Sequence, residues 1–177
     1  MRDVNTKPGP DRALRILFLS REYPPETGGG GIGSYVETMA RTLAARGHEV
    51  HVLSCVAGQA SEDTRREGVH LHRRGVRRVL PKIRRRFPAA AFRIEGAVSC
   101  YLEFMRLGLD IDVVEAPDWM AEGLAFAFVG SRPLVAHLHT PLLLIGRHNP
   151  GSFRWSRDGR LAASLERLSK EGETLND

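Results

Sequence analysis

Short apolar runs alternate along this chain with longer stretches in which apolar residues return every three or four positions. Residues 15–20 form the first run, and residues 32–46 then place Ile32, Val36, Met39 and Leu43 on one face, the spacing of an amphipathic helix packed on a sheet. Gly47 supplies a helix stop, and His48-Glu49-Val50-His51-Val52-Leu53-Ser54 begins a second strand at once. A strand, a helix and a strand with so short a return predict one right-handed parallel unit. The alternation continues with a short strand at 69–72 and a helix at 89–107 carrying Ile94, Val98, Tyr101 and Met105 on one face. Buried strands at 113–115 and 134–138 follow, with a helix at about 118–128 between them. Leu161, Leu165 and Leu168 form the stripe of a last helix that stops at Gly172. The expected fold class is α/β, a doubly wound, mostly parallel sheet flanked by helices.

Between the first strand and helix lies Pro24-Pro25-Glu26-Thr27-Gly28-Gly29-Gly30-Gly31-Ile32-Gly33-Ser34-Tyr35. Strand, glycines and helix in that order put bare backbone N–H groups at a helix N-terminus, where unpaired donors and the helix dipole favour a phosphate. Gly28, Gly30 and Gly33 formally match the dinucleotide fingerprint, but the first of them stands well beyond Ser20 and the second strand ends Leu53-Ser54-Cys55 without an acid. A Walker A loop is excluded because no lysine lies between Lys7 and Lys82. The plainer reading is a glycine loop that holds no ligand.

The order of the motifs adds more than any one of them. Gly30-Gly31-Ile32, Arg46-Gly47-His48-Glu49-Val50, Asp112-Val113-Val114-Glu115-Ala116-Pro117-Asp118-Trp119 and Pro133-Leu134-Val135-Ala136-His137-Leu138-His139-Thr140 follow one another at family-like separations. In this the chain resembles, over residues 14–172, the N-terminal domain of GT-B glycosyltransferases, especially the retaining group called family 4. The resemblance implies a Rossmann-like half of a GT-B fold that transfers a sugar from a nucleotide-diphosphate donor to an acceptor with retention and without a metal or other cofactor. It also implies roles for individual residues. Gly30 and Gly31 would let the backbone approach the donor diphosphate, and His139 would face the transferred sugar or the acceptor. Asp118 would join His139 in catalysis or bind an acceptor hydroxyl, its ordinary alternative being a helix N-cap, and Thr140 is a weaker acceptor candidate. Trp119 would stack on a sugar or serve as a buried anchor. His137 shares a face with His139, but no third ligand stands near enough in sequence for a metal site.

By the same resemblance, residues 173–177 would be a truncated end before an absent donor-binding domain, and the chain alone would be inactive. The competing reading is a stand-alone α/β domain that binds a nucleotide or an anionic lipid without chemistry. An epimerase or dehydrogenase is disfavoured, since no Tyr-x-x-x-Lys pair is present.

Composition narrows the setting. The 177 residues suffice for one domain with its own core, and a 42% hydrophobic content is ordinary. There is no run of 18 apolar residues, and residues 1–13 read as a loose polar tail rather than a signal peptide. Cys55 and Cys100 give no disulfide framework, so a reducing, cytoplasmic setting is expected. Charge is the uneven property: between Arg65 and Arg93 stand eleven Lys or Arg residues and one acid, Glu67, although the whole chain is only +5. With Leu80, Ile83 and Phe87 interleaved, residues 65–93 would lie on an anionic membrane surface, or else form a solvated basic face. Nucleic acid is not an expected partner, because only Phe87 and Phe92 could stack on bases.

Overall fold

The computed structural model describes residues 12–25 and 30–139. Most of the expected tail, Gly28, Gly29, Thr140, the last helix with Leu161, Leu165 and Leu168, and residues 173–177 lie outside the described residues. The elements run β1 (Arg15–Leu19), α1 (Gly31–Ala45), β2 (Glu49–Val56), β3 (Glu62–Arg66), β4 (Val69–Gly75), α2 (Pro81–Arg86), α3 (Pro88–Leu107), β5 (Val113–Pro117), α4 (Leu124–Val129) and β6 (Leu134–His137). The strands form one sheet in the order β3-β4-β2-β1-β5-β6, parallel throughout except for β3. This is the doubly wound sheet that the alternation predicts. β1 lies between β2 and β5, so the chain builds outward first to one side and then to the other. In such sheets the crevice for a ligand opens at the C-terminal strand ends, where the order reverses.

Alternate strand residues feed two cores. Ile16, Phe18, Val50, Val52, Val69 and Leu71 pack beneath Val36 and Ala40 of α1, and Leu17, Leu19, Leu53 and Cys55 pack beneath Cys100 and Phe104 of α3 and Phe126 of α4. Helix α1 ends in a Schellman motif. Gly47 takes φ 87°, its N–H reaches the Ala44 carbonyl, and the His48 N–H reaches that of Leu43. The return to β2 is therefore immediate.

Three sequence expectations are corrected. The short strand at 69–72 is half of a hairpin, in which β3 pairs antiparallel with β4 through the two-residue turn Glu67-Gly68, both at positive φ. β3 is exposed at every position and so carries no alternating signal. Second, α3 does not bury the face of Ile94 and Met105, which are exposed. It buries Ala91, Glu95, Ser99, Cys100, Glu103 and Phe104, a half-polar stripe that an apolar count does not find. Third, the helix expected at 118–128 begins only at Leu124, because Ala121 adopts a left-handed φ of 57°.

The buried acids of α3 account for part of the basic segment. Glu95 accepts the Leu80 N–H at 2.8 Å and pairs with Arg84. Ser99 Oγ accepts the Arg77 N–H at 2.8 Å, and Glu103 meets Arg74 at 3.4 Å and Arg77 at 3.0 Å. Arg74 also donates to both oxygens of Asp63 on β3. The residues between β4 and α2 belong to neither helix nor strand, so their polar groups find partners on α3 instead. Half-buried Arg84 and buried Arg73 and Arg74 are thus structural cations. Arg78, Lys82, Arg85 and Arg86 remain exposed beside Val79, Ile83 and Phe87, which are themselves 51%, 41% and 39% exposed.

Candidate functional site

The loop leaving β1 is shaped by its own hydroxyls. Ser20 Oγ donates to the Glu22 carbonyl at 2.7 Å, and Ser54 Oγ at the end of β2 donates to the Arg21 carbonyl at 3.1 Å. The Arg21 guanidinium lies 4.3 Å over the Phe92 ring of α3. Glu22 extends toward the start of α1, where a Cβ added at Gly30 would stand 2.5 Å from its Oε2.

Gly30 is the N-cap of α1, with φ −67° and ψ 166°. Gly30 has no side chain with which to cap the helix, and no acid stands in its first turn. The opening N–H groups have no acceptor within the helix itself. A Cβ added at Gly31 would meet nothing within 4 Å, and Gly31 is not among the glycines of positive φ. Among the described residues, neither strain nor packing therefore requires glycine at 31. The space at Gly31 lies beside a dipole end that favours an anion, while the Glu22 carboxyl stands against Gly30.

Across the switch point, β5 and β6 are tied at their exits. The Asp118 N–H donates to the His137 carbonyl at 3.1 Å, and Asp118 Oδ1 accepts the His139 N–H at 3.0 Å. Since α4 starts at Leu124, Asp118 is not that helix's N-cap. Its carboxylate instead fixes the backbone of His139. The His139 ring lies 4.3 Å from that of His137 and 4.9 Å, edge-on, from that of Tyr35 on α1. Its Nε2 is shielded and has no hydrogen-bond partner among the described residues. Burial, and then His137, lower the His139 pKa from 6.5, so the ring is neutral near pH 7 and can exchange a hydrogen bond through Nε2. Asp118 and His139 are thus joined directly, and Tyr35 links them to the first turns of α1. Thr140 lies outside the described residues.

Sequence reasoning missed two participants. Tyr35 stands one turn beyond Gly31 and donates its hydroxyl to Glu115 at 2.8 Å. Burial, then Glu115, push its pKa up, so it remains a donor. Its place one turn into a helix that follows a glycine loop was the available signal. The second is Glu122, 4% exposed, whose Oε2 has no hydrogen-bond partner among the described residues. Burial raises its carboxyl to about 7, against the lowering influence of a hydrogen bond from its own backbone and then of nearby Arg21. It lines a pocket of about 310 Å³ together with Ser20, Arg21 and Glu22 after β1, Ile32 of α1, and Trp119 and Met120 after β5. A lone acid in the run Trp119 to Gly123 gave little warning.

Comparison with known proteins agrees with the fold. A family model described as Glycosyltransferase Family 4 matches residues 29–172. A glycogen synthase of Mycobacterium tuberculosis (strain CDC 1551 / Oshkosh) is 32% identical over 149 residues, covering 77% of this chain and 35% of the relative. The chain thus spans about a third of the length of the curated relatives it matches. Among solved structures, the catalytic domain of starch synthase IV from Arabidopsis thaliana, bound to ADP and acarbose, superposes with TM-score 0.51 at 16% identity over 73% of this chain and 34% of that one. Sucrose-phosphate synthase from Thermosynechococcus elongatus superposes with TM-score 0.53 at 14% identity over 83% of this chain and 38% of that one. These two share the Rossmann-like fold of the described sheet.

Proposed function

The chain belongs to glycosyltransferase family 4, and on that premise we propose that it forms the acceptor side of an enzyme that moves a sugar from a nucleotide-diphosphate donor to an acceptor hydroxyl with retention of configuration. The observation that carries this reading is the glycine start of α1, where no described atom stands within 4 Å of a Cβ at Gly31, on the same edge of the sheet as the hydrogen-bonded pair Asp118 and His139. The amides after Gly30 receive the departing diphosphate, whose charge the helix dipole stabilises without a metal. The ADP found with the starch synthase domain is a group of that kind.

The Nε2 of neutral His139 is the hydrogen-bonding atom assigned to a sugar hydroxyl, and because the described residues shield it, sugar binding must uncover it. Asp118 holds His139 in place and keeps a second oxygen for the acceptor; Thr140, next to His139 in sequence, is a further acceptor candidate. The acceptor is a carbohydrate, a small molecule or a lipid-linked sugar. For a lipid-linked one the exposed face of α2 would hold the enzyme at an anionic membrane on its cytoplasmic side.

Release of nucleoside diphosphate from a panel of nucleotide sugars, by the protein carrying this domain and in the presence of EDTA, tests the reading. The expected result is acceptor-dependent release, with a product that keeps the donor's anomeric configuration by NMR. His139→Ala should lower kcat at least about 100-fold while leaving Tm unchanged, a size typical of losing one positioned hydrogen-bonding group. An unchanged rate would return His139 to a structural role. Donor binding with no turnover under any condition would favour the binding-domain reading.

A further inference from the structure

We propose that Glu122 is the hydroxyl-recognising carboxyl of the acceptor pocket, and that this pocket takes an uncharged, hydroxylated ring seated against Trp119 rather than a phosphorylated group. The proposal rests on the transfer reading above and deepens it.

Three observations lead to it. First, the pocket of about 310 Å³ falls in the range of small-molecule sites, about 300–1,000 Å³. Its wall joins apolar surface from Ile32, Trp119 and Met120 to a few polar groups, Arg21, Glu22 and Glu122. A sugar ring has the matching chemistry, with C–H faces that pack on an aromatic ring and a rim of hydroxyls that seek carboxylate acceptors.

Second, the charges disfavour an anion. A phosphate entering here would meet two carboxyls and one guanidinium, and that guanidinium is already held over Phe92. Third, Glu122 is buried, and although the backbone at Glu122 and Met120 hydrogen-bonds its carboxyl, its Oε2 lacks a partner among the described residues, a costly condition for an ionised carboxyl. The local backbone is built around it. Ala121 is held at a left-handed φ of 57°, and a Cβ added at Gly123 would stand 2.9 Å from that of Ala116. Strained, over-determined positions of this sort gather at ligand sites.

The ionisable groups that act on Glu122 are Arg21 and Glu22, and Glu122 in turn acts on Cys100 of α3. Burial leaves its carboxyl near neutrality, so near pH 7 both protonation states are populated. It can then accept a hydrogen bond from a ring hydroxyl or donate one to it.

The test follows the indole N–H of Trp119 by NMR in the full chain, assigned through Trp119→Phe, during titration with glucose, maltose and glucose 6-phosphate. The neutral sugars should shift the Trp119 signal and bind more tightly than glucose 6-phosphate. Glu122→Leu should weaken them at least about tenfold, whereas Glu122→Gln, which keeps a hydrogen-bonding head group of the same shape, should stay within about threefold. Wild-type affinity should change as pH passes through 7, and that of the glutamine variant should not. Equal affinity in the leucine variant overturns the proposal, as does preference for the phosphate or the absence of any Trp119 response. Glu122→Gln and thermal melting guard against a folding artefact in the leucine variant. Nucleoside diphosphate release is scored separately. A Trp119 response without turnover removes the transfer reading and leaves the pocket, and turnover without that response does the reverse.

Discussion

Gly31 opens α1 with backbone outside the left-handed region and with no described atom within 4 Å of where a Cβ would stand. On stability alone alanine would serve better, since it restricts the unfolded chain and fits the helix. Gly31→Ala should therefore raise stability by up to about 1 kcal/mol, read as a higher denaturant midpoint, while lowering turnover. Gly31→Val should abolish transfer and leave the fold intact, and normal turnover in the valine variant would remove the amide-approach role. Glu122 shows the same opposition through pH. Its carboxyl titrates at about 7 when folded against 4.5 for the free group, so the folded state prefers the protonated form. Below pH 4.5 the group costs nothing. As pH rises toward 7 and beyond, folding must hold an ionised acid in a buried place, a penalty on the order of 3 kcal/mol. The Tm of Glu122→Gln should accordingly match wild type in acid and exceed it above pH 7. Gly30, Gly31, Asp118 and His139 were legible because they sit in ordered motifs at strand ends. Tyr35 and Glu122 were not, because only the register of α1 and the left-handed turn at Ala121 bring them to the site.

At the scale of elements, legibility followed what each element buries. β1, β2, β5 and α1 face apolar partners on at least one side, so their periods of two and of three to four stand out in the chain. α3 hides Glu95, Ser99 and Glu103 against the chain between β4 and α2, so its inward face was assigned wrongly although its ends were nearly right. β3 was missed because an exposed edge strand has no inward face to mark it. The turn Glu67-Gly68 also lacks the Asn or Asp that usually signals such a hairpin. The buried acids of α3 carry their own prediction. Glu95 is fully buried and serves both the Leu80 N–H and Arg84. Glu95→Ala would strand that amide and leave a hole, costing about 3 kcal/mol in urea unfolding. Ser99→Ala, which strands one amide, should cost about 1 kcal/mol. A negligible cost for Glu95→Ala would mean that the basic connection is held by something other than α3.

For the molecule as a whole, the basic segment divides its cations by partner, and that division decides how a membrane would be met. Arg74, Arg77 and Arg84 are committed to Glu103 and Glu95. They hold α2 and its approach against α3 and have little charge left to offer a lipid. Arg78, Lys82, Arg85 and Arg86 are exposed, and between them Val79, Ile83 and Phe87 recur every fourth position. A surface that shows apolar side chains amid exposed cations without an ion pair among the described residues, Arg86 lying 5.3 Å over the Phe87 ring, matches an interfacial segment, in which the apolar groups enter the headgroup boundary and the cations meet anionic lipid. Each exposed basic group is worth about 1 kcal/mol at such a surface, so four supply about 4 kcal/mol, roughly a thousandfold in partition. Most of that is lost as salt shortens the screening length. The protein should therefore sediment with vesicles containing phosphatidylserine at low salt, detach progressively at high salt, and ignore pure phosphatidylcholine. Ile83→Asp with Phe87→Asp should abolish binding, as should Arg85→Glu with Arg86→Glu, neither pair changing Tm appreciably because none of the four side chains is buried. Glu95→Ala provides the contrast, since it should weaken vesicle binding only as far as it unfolds α2. Sedimentation unaffected by either surface pair would confine the segment to its structural duty and leave a soluble acceptor as the substrate to pursue.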